Sequence, residues 1–115
     1  MRMIILVLGL ALTATSVRAA DTIAPGEARA HAGEHVTIEG AVSAVHTADS
    51  GVTFLDIGGS FPNNAFAAVI FKDDAAKFRH LDSFTGRTVD VSGAVRLYQG
   101  KAEIVLNDPA QIKLK

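Results

Sequence analysis

Two stretches of this chain set the same steric problem. Gly33-Glu34-His35-Val36-Thr37-Ile38-Glu39-Gly40-Ala41-Val42 and Gly86-Arg87-Thr88-Val89-Asp90-Val91-Ser92-Gly93-Ala94-Val95 carry one pattern, 53 residues apart. In each, apolar residues alternate with polar ones, which is the period of a strand with one buried face. In each, a glycine sits in mid-run, where it weakens a strand unless the chain must bulge or coil sharply. Two long strands that both bend in the middle fit a sheet rolled into a small cylinder. The echo is too short to mark a repeat array.

The remaining segments supply the rest of such a cylinder. A first strand over 35–46 carries Val36, Ile38, Gly40, Val42 and Ala44 in one row, with Val45 in the other. After a turn at 47–51, a second strand covers Val52–Ile57 and is rich in β-branched and aromatic residues. A loop of turn formers, 58–64, leads to a third strand over 65–71. Ala75, Ala76, Phe78 and Leu81 fall near helical spacing behind Asp73 and Asp74, which predicts a helix over 73–80. A fourth strand over 88–98 points Val89, Val91, Gly93, Val95 and Leu97 inward. Gln99-Gly100 turns the chain into a fifth strand over 101–106, with Ala102, Ile104 and Leu106 on one side. Pro25 to Gly33 reads as a short peripheral helix, and Ile112 with Leu114 as a short edge. The order β-β-β-α-β-β, all-β with one short helix, is that of the OB-fold, a five-stranded Greek-key barrel. A β-sandwich would need about seven strands, and five are evident.

The N-terminal stretch obeys a different logic. Met1-Arg2-Met3 is followed by the apolar run Ile4–Ala14, then by Thr15, Ser16, Val17 and Ala19. This is the layout of a cleavable signal peptide, residues 1–19, with the cut between Ala19 and Ala20. The run is shorter than the roughly 20 residues a membrane-spanning helix requires. The expected mature domain is 20–115, located in the periplasm or secreted, with no membrane attachment after cleavage. The whole chain has 11 Lys and Arg against 12 Asp and Glu. Loss of Arg2 and Arg18 leaves nine basic residues against twelve acidic ones, a charge of −3. That balance excludes a strongly basic nucleic-acid coat. The absence of cysteine excludes disulfide scaffolds and Cys-based zinc folds.

Read in order, several motifs carry a family resemblance. They are Gly33-x-x-Val36-x-Ile38-x-Gly40-x-Val42, Phe54-Leu55-Asp56-Ile57-Gly58, Pro62-Asn63-x-x-Phe66-x-Ala68-Val69-Ile70-Phe71, Gly86-x-x-Val89-x-Val91-x-Gly93 and Tyr98-x-Gly100-Lys101-x-Glu103-Ile104. With the closing stretch Leu106–Ile112, the chain resembles the tRNA-anticodon-type OB-fold domains of exported bacterial proteins, including those attached to secreted nucleases. The likeness covers roughly residues 30 to 114. It implies binding of single-stranded nucleic acid across the second and third strands. Phe54 falls where this family's stacking aromatic lies, and Phe66 is expected on the outer row of the third strand. Arg96, Tyr98 and Lys101 complete an implied cradle of three aromatics and two cations, the groups that stack bases and meet phosphates. The competing reading makes Phe54 and Phe66 core residues and leaves Arg96 and Lys101 as solvated charges. Without a basic cluster, phosphate binding is expected to be weak.

The same sequence offers little for catalysis, and the expected function is a non-catalytic binding module with no cofactor and no metal. His31 and His35 are four residues apart, but Gly33 lies between them and breaks any shared helical face. His46 and Asp49 read as polar groups of a turn. The Gly58-Gly59 pair lacks the Lys and Ser/Thr of a phosphate loop. The alternative to nucleic acid is an envelope-associated module that binds a protein or a small ligand.

Overall fold

The computed structural model describes residues 22–115, so the expected signal peptide and cleavage site lie outside the described residues. The elements are β1 (Thr22–Ile23), β2 (His35–Thr47), β3 (Thr53–Ile57), β4 (Phe66–Ile70), β5 (Thr88–Tyr98), β6 (Lys101–Val105) and β7 (Ile112–Leu114). β2 to β6 are the five strands of the barrel, and β1 and β7 are short additions alongside β2 and β5.

The barrel closes through its two longest strands. The first half of β2 pairs antiparallel with β5, from His35 opposite Ala94 to Ala41 opposite Thr88. Its second half pairs with β3, from Val42 opposite Ile57 to Thr47 opposite Thr53. β3 continues to β4, β4 runs parallel to β6, and β6 returns antiparallel to β5. This ring is the OB-fold, and closure leaves few unpaired strand edges.

The echoed glycines are where β2 and β5 must admit a neighbour. A Cβ on Gly40 would lie 2.6 Å from Ile57 Cγ2 and 2.6 Å from Pro25 Cγ. A Cβ on Gly93, whose φ is +154°, would lie 2.6 Å from Ile104 Cγ2. The shared sequence pattern therefore answers two different contacts.

A register shift between Val42 and Ala44 changes the parity of β2. Val42 faces the core, whereas Ala44 sits opposite Asp56 and Val45 opposite Leu55. The single row expected from Val36 to Ala44 is thus broken at Ser43. Val45 turns inward against the core instead, because one extra residue exchanges the faces of all that follow it. The core is filled by Ile38, Val42, Leu55, Ile57, Phe66, Ile70, Val89, Val91, Val95, Ile104 and Leu106, all buried.

Further expectations are corrected. No α-helix forms over 73–80. The chain makes two 3₁₀ segments, Lys72–Lys77 and Leu81–Phe84, with His80 between them in the left-handed region at φ 58°. Neither has a side-chain cap or a buried residue of its own, so neither offsets the cost of nucleating a longer helix. Phe78 lies in the extended link between the two segments, and Leu81 and Phe84 are three residues apart within the second, the repeat of a 3₁₀ turn; all three pack against the core. The Pro25–His31 segment is likewise 3₁₀. Phe66 is fully buried and not on the outer row. It pairs with inward-facing Ile57, so the outer residues of β4 are Ala67 and Val69. Leu97, expected inward, is 45% exposed at the mouth of the barrel.

Candidate functional site

Alternation along β3, β4, β6 and β5 sends one set of side chains away from the core. Cross-strand register aligns Asp56, Ala67, Glu103 and Arg96 in one row across four strands. A second row runs His46, Phe54, Val69 and Val105, and Tyr98 faces Lys101 in the last hairpin. The small residues Ala67 and Val69 keep the middle of this face low, while rings rise on both sides. The result is a hollow of about 320 Å³ bounded by Phe54, Phe61 and Tyr98, with Asp56 and Glu103 also in its lining. A second hollow of about 260 Å³ shares Phe54, Tyr98 and Glu103 with the first and extends to Phe71 and Arg96. Together they make a groove across the barrel face.

Its charges are largely committed to one another. Arg96 donates from Nε and a terminal nitrogen to the same Glu103 oxygen, at 2.8 and 2.6 Å. The Glu103 side chain is only 6% exposed, so removing Arg96 would leave a buried carboxylate without a counter-charge. The guanidinium also lies 5.5 Å from the Phe71 ring centre and 6.0 Å from that of Tyr98. Lys101 Nζ donates to Pro62 O at 3.0 Å, Asn64 O at 2.7 Å and Asn64 Oδ1 at 3.0 Å. It pins the β3–β4 loop, and with it the exposed ring of Phe61. Asn64 Nδ2 in turn donates to Phe66 O at 3.0 Å. Both cations expected to meet phosphate thus already have partners within the fold.

Of the five residues that the sequence points to, four border the groove: Phe54, Arg96, Tyr98 and Lys101. Phe66 does not, being sealed beneath it. Sequence reasoning missed His46, Asp56, Phe61 and Phe71. His46 stacks on Phe54 with ring centres 5.2 Å apart at 22°, and its Nε2 lies 3.4 Å from Asp56 Oδ2. It had read as a turn residue, and only the shift at Ser43 puts it on the outer face. Asp56 could have been found, since it follows Phe54 at the period of one strand face. Phe61 gives no such signal because it sits in a loop. Among the described residues, no group of three or more His, Asp or Glu side chains could hold a metal ion. Among them, too, no helix is long and apolar enough to cross a membrane.

The barrel and its groove define an OB-fold module. No protein-family model and no curated protein matches the chain. Solved structures do match it. A protein assigned as an aspartyl-tRNA synthetase from Leishmania major superposes with a TM-score of 0.58 at 14% identity, over 90% of this chain and 22% of that one. The OBody AM1L10, solved bound to hen egg-white lysozyme, gives 0.57 at 16% identity over 87% of this chain and 98% of its own. The asparaginyl-tRNA synthetase of Entamoeba histolytica gives 0.50 at 14% identity, over 85% of this chain and 24% of that one. This chain therefore corresponds in length to a fraction of each synthetase and to nearly all of the OBody. At these identities the likeness is one of fold.

Proposed function

We propose that the protein is an exported, non-catalytic OB-fold module that binds single-stranded nucleic acid through the groove over β3, β4, β6 and β5. The observation that carries this reading is the placement of Phe54 and Tyr98 on either side of a low strip formed by Ala67 and Val69. Flat rings stack on such exposed aromatic faces, and each stacked base contributes about 1–3 kcal/mol. Two structural neighbours are tRNA synthetases, which supports a nucleic-acid ligand for a barrel of this shape. Because Arg96 and Lys101 are engaged internally, stacking outweighs phosphate contact and the affinity depends only weakly on salt. Export rests on the residues preceding the barrel, and intact mass of protein recovered from the periplasm tests it: the chain should begin at Ala20.

The binding experiment is a titration of a labelled oligonucleotide of about ten nucleotides, followed by fluorescence anisotropy at about 20 mM salt. Saturable binding that Phe54→Ala weakens supports the reading. No binding at low salt, where the counterion contribution is largest, refutes it. A second reading, binding of an envelope protein or small ligand, is favoured by the same charge neutrality, since the groove's two carboxylates balance Arg96 and Lys101. It predicts capture of a protein partner that oligonucleotide does not displace.

A further inference from the structure

We propose that His46 is a ligand-contacting residue of the groove, and that its protonation shifts the groove towards polyanions. The inference rests on the nucleic-acid reading and deepens it by naming how the site is tuned. His46 is 46% exposed, its ring stacks over one face of Phe54, and Phe61 tilts over it with ring centres 6.4 Å apart. A base approaching that side of Phe54 therefore meets the imidazole first.

The charges around the ring decide what a proton does there. From β3, Asp56 faces Nε2 at 3.4 Å with a side chain only 4% exposed. The loop leading to β4 contributes Phe61 and Asn64, neither of which titrates. Across the groove stand Tyr98 on β5, and Lys101 and Glu103 on β6, with Arg96 held on Glu103. Glu103 is matched by Arg96, and Lys101 is held by neutral oxygens. With a neutral imidazole, Asp56 repels an approaching phosphate with no adjacent cation to offset it. A proton on His46 supplies that cation, and the lining passes from zero net charge to +1. Binding of a polyanion then takes up a proton, so affinity rises as pH falls.

The test measures oligo-dT affinity by anisotropy at constant ionic strength, from about pH 8 to about pH 5.5, for the wild type, His46→Gln and His46→Arg. The wild type should tighten about threefold across this range, the effect of one exposed charge contact. Its log–log salt slope should steepen by about 0.7 at the acid end, the value for one added phosphate contact on a single strand. His46→Gln should lose this response. His46→Arg should bind at pH 8 as the wild type does at low pH. Both carboxylates of the groove remain in both variants, and His46→Arg, which keeps a cation beside Asp56 at every pH, should show a flat profile. Parallel pH profiles for the wild type and His46→Gln would overturn the inference while leaving the nucleic-acid reading intact. Absence of binding by the wild type at every pH would overturn both.

Discussion

Phe54 and Phe66 are both aromatic, both on barrel strands and twelve residues apart, yet the fold gives them opposite roles. Phe66 has no exposed surface and packs among Ile57, Ile104 and the rest of the core. Truncation to Ala removes a buried ring and leaves a cavity, which costs about 3–5 kcal/mol. The entropy of unfolding near the midpoint is about 2.1 cal/mol/K per residue, so the 94 described residues give about 0.2 kcal/mol/K. A loss of 3–4 kcal/mol therefore lowers Tm by about 15–20 °C. Phe54 is only partly buried on the groove, and its truncation should cost about 1–2 kcal/mol, well short of the loss at Phe66. Its loss should weaken oligonucleotide binding about 5- to 100-fold, the equivalent of one stacked base. The assay is a thermal melt by circular dichroism beside an anisotropy titration on the same preparations. Should Phe66→Ala fail to fold, Phe66→Leu provides the milder step, with a loss of about 1–1.5 kcal/mol and unchanged binding. A Phe66→Ala protein melting within a few degrees of the wild type would refute the placement of this ring. So would a Phe54→Ala protein destabilised to the same extent as Phe66→Ala.

Three further outcomes follow from contacts elsewhere in the barrel. Glu103→Gln releases Arg96 from its carboxylate partner, so oligonucleotide affinity should rise and the salt slope should steepen by about 0.7; an unchanged slope would show that Arg96 is not the constrained cation described here. Gly93→Ala drives a Cβ to 2.6 Å from Ile104 Cγ2 and should cost about 2–5 kcal/mol by urea unfolding, whereas Gly26→Ala, with nothing within 4 Å of the new atom, should stay within about 0.5 kcal/mol of the wild type. Gln111 accepts from the backbone N–H groups of Asn107 and Asp108 and donates to the carbonyls of Ser92 and Val105; Gln111→Ala should cost about 1–3 kcal/mol and speed amide exchange in β7 ahead of β3.

The strand content was legible because alternation is a local signal. Val89, Val91 and Val95 of β5 are buried as their spacing requires, and the limits expected for the fourth strand, 88–98, coincide with those of β5. The helix over 73–80 was misread because Ala75, Ala76, Phe78 and Leu81 satisfy helical spacing only approximately. Phe78 and Leu81 both reach the core, but from opposite sides of the left-handed break at His80, which interrupts any continuous helix. The groove was half legible. Phe54, Arg96, Tyr98 and Lys101 lie on strands whose registers follow from simple hairpins, and all four border it. Phe66 was misassigned because the inward or outward sense of a fully buried strand cannot be read from alternation when every residue is apolar; β4 is buried along its entire length.

By itself, the sequence determined that the chain makes the five barrel strands, that the two longest carry a glycine in mid-run, and that no cysteine chemistry takes part. These follow from periodicity and composition, which depend on neighbours along the chain. Tertiary structure alone decided that one extra residue at Ser43 turns Val45 inward and His46 outward, and that Arg96 and Lys101 are held by Glu103 and by the β3–β4 loop. The physical reason is that register and ion pairing are properties of chain segments brought together by barrel closure. Neither a strand's parity relative to its partner nor the occupant of a cation's coordination sphere exists until the fold has formed.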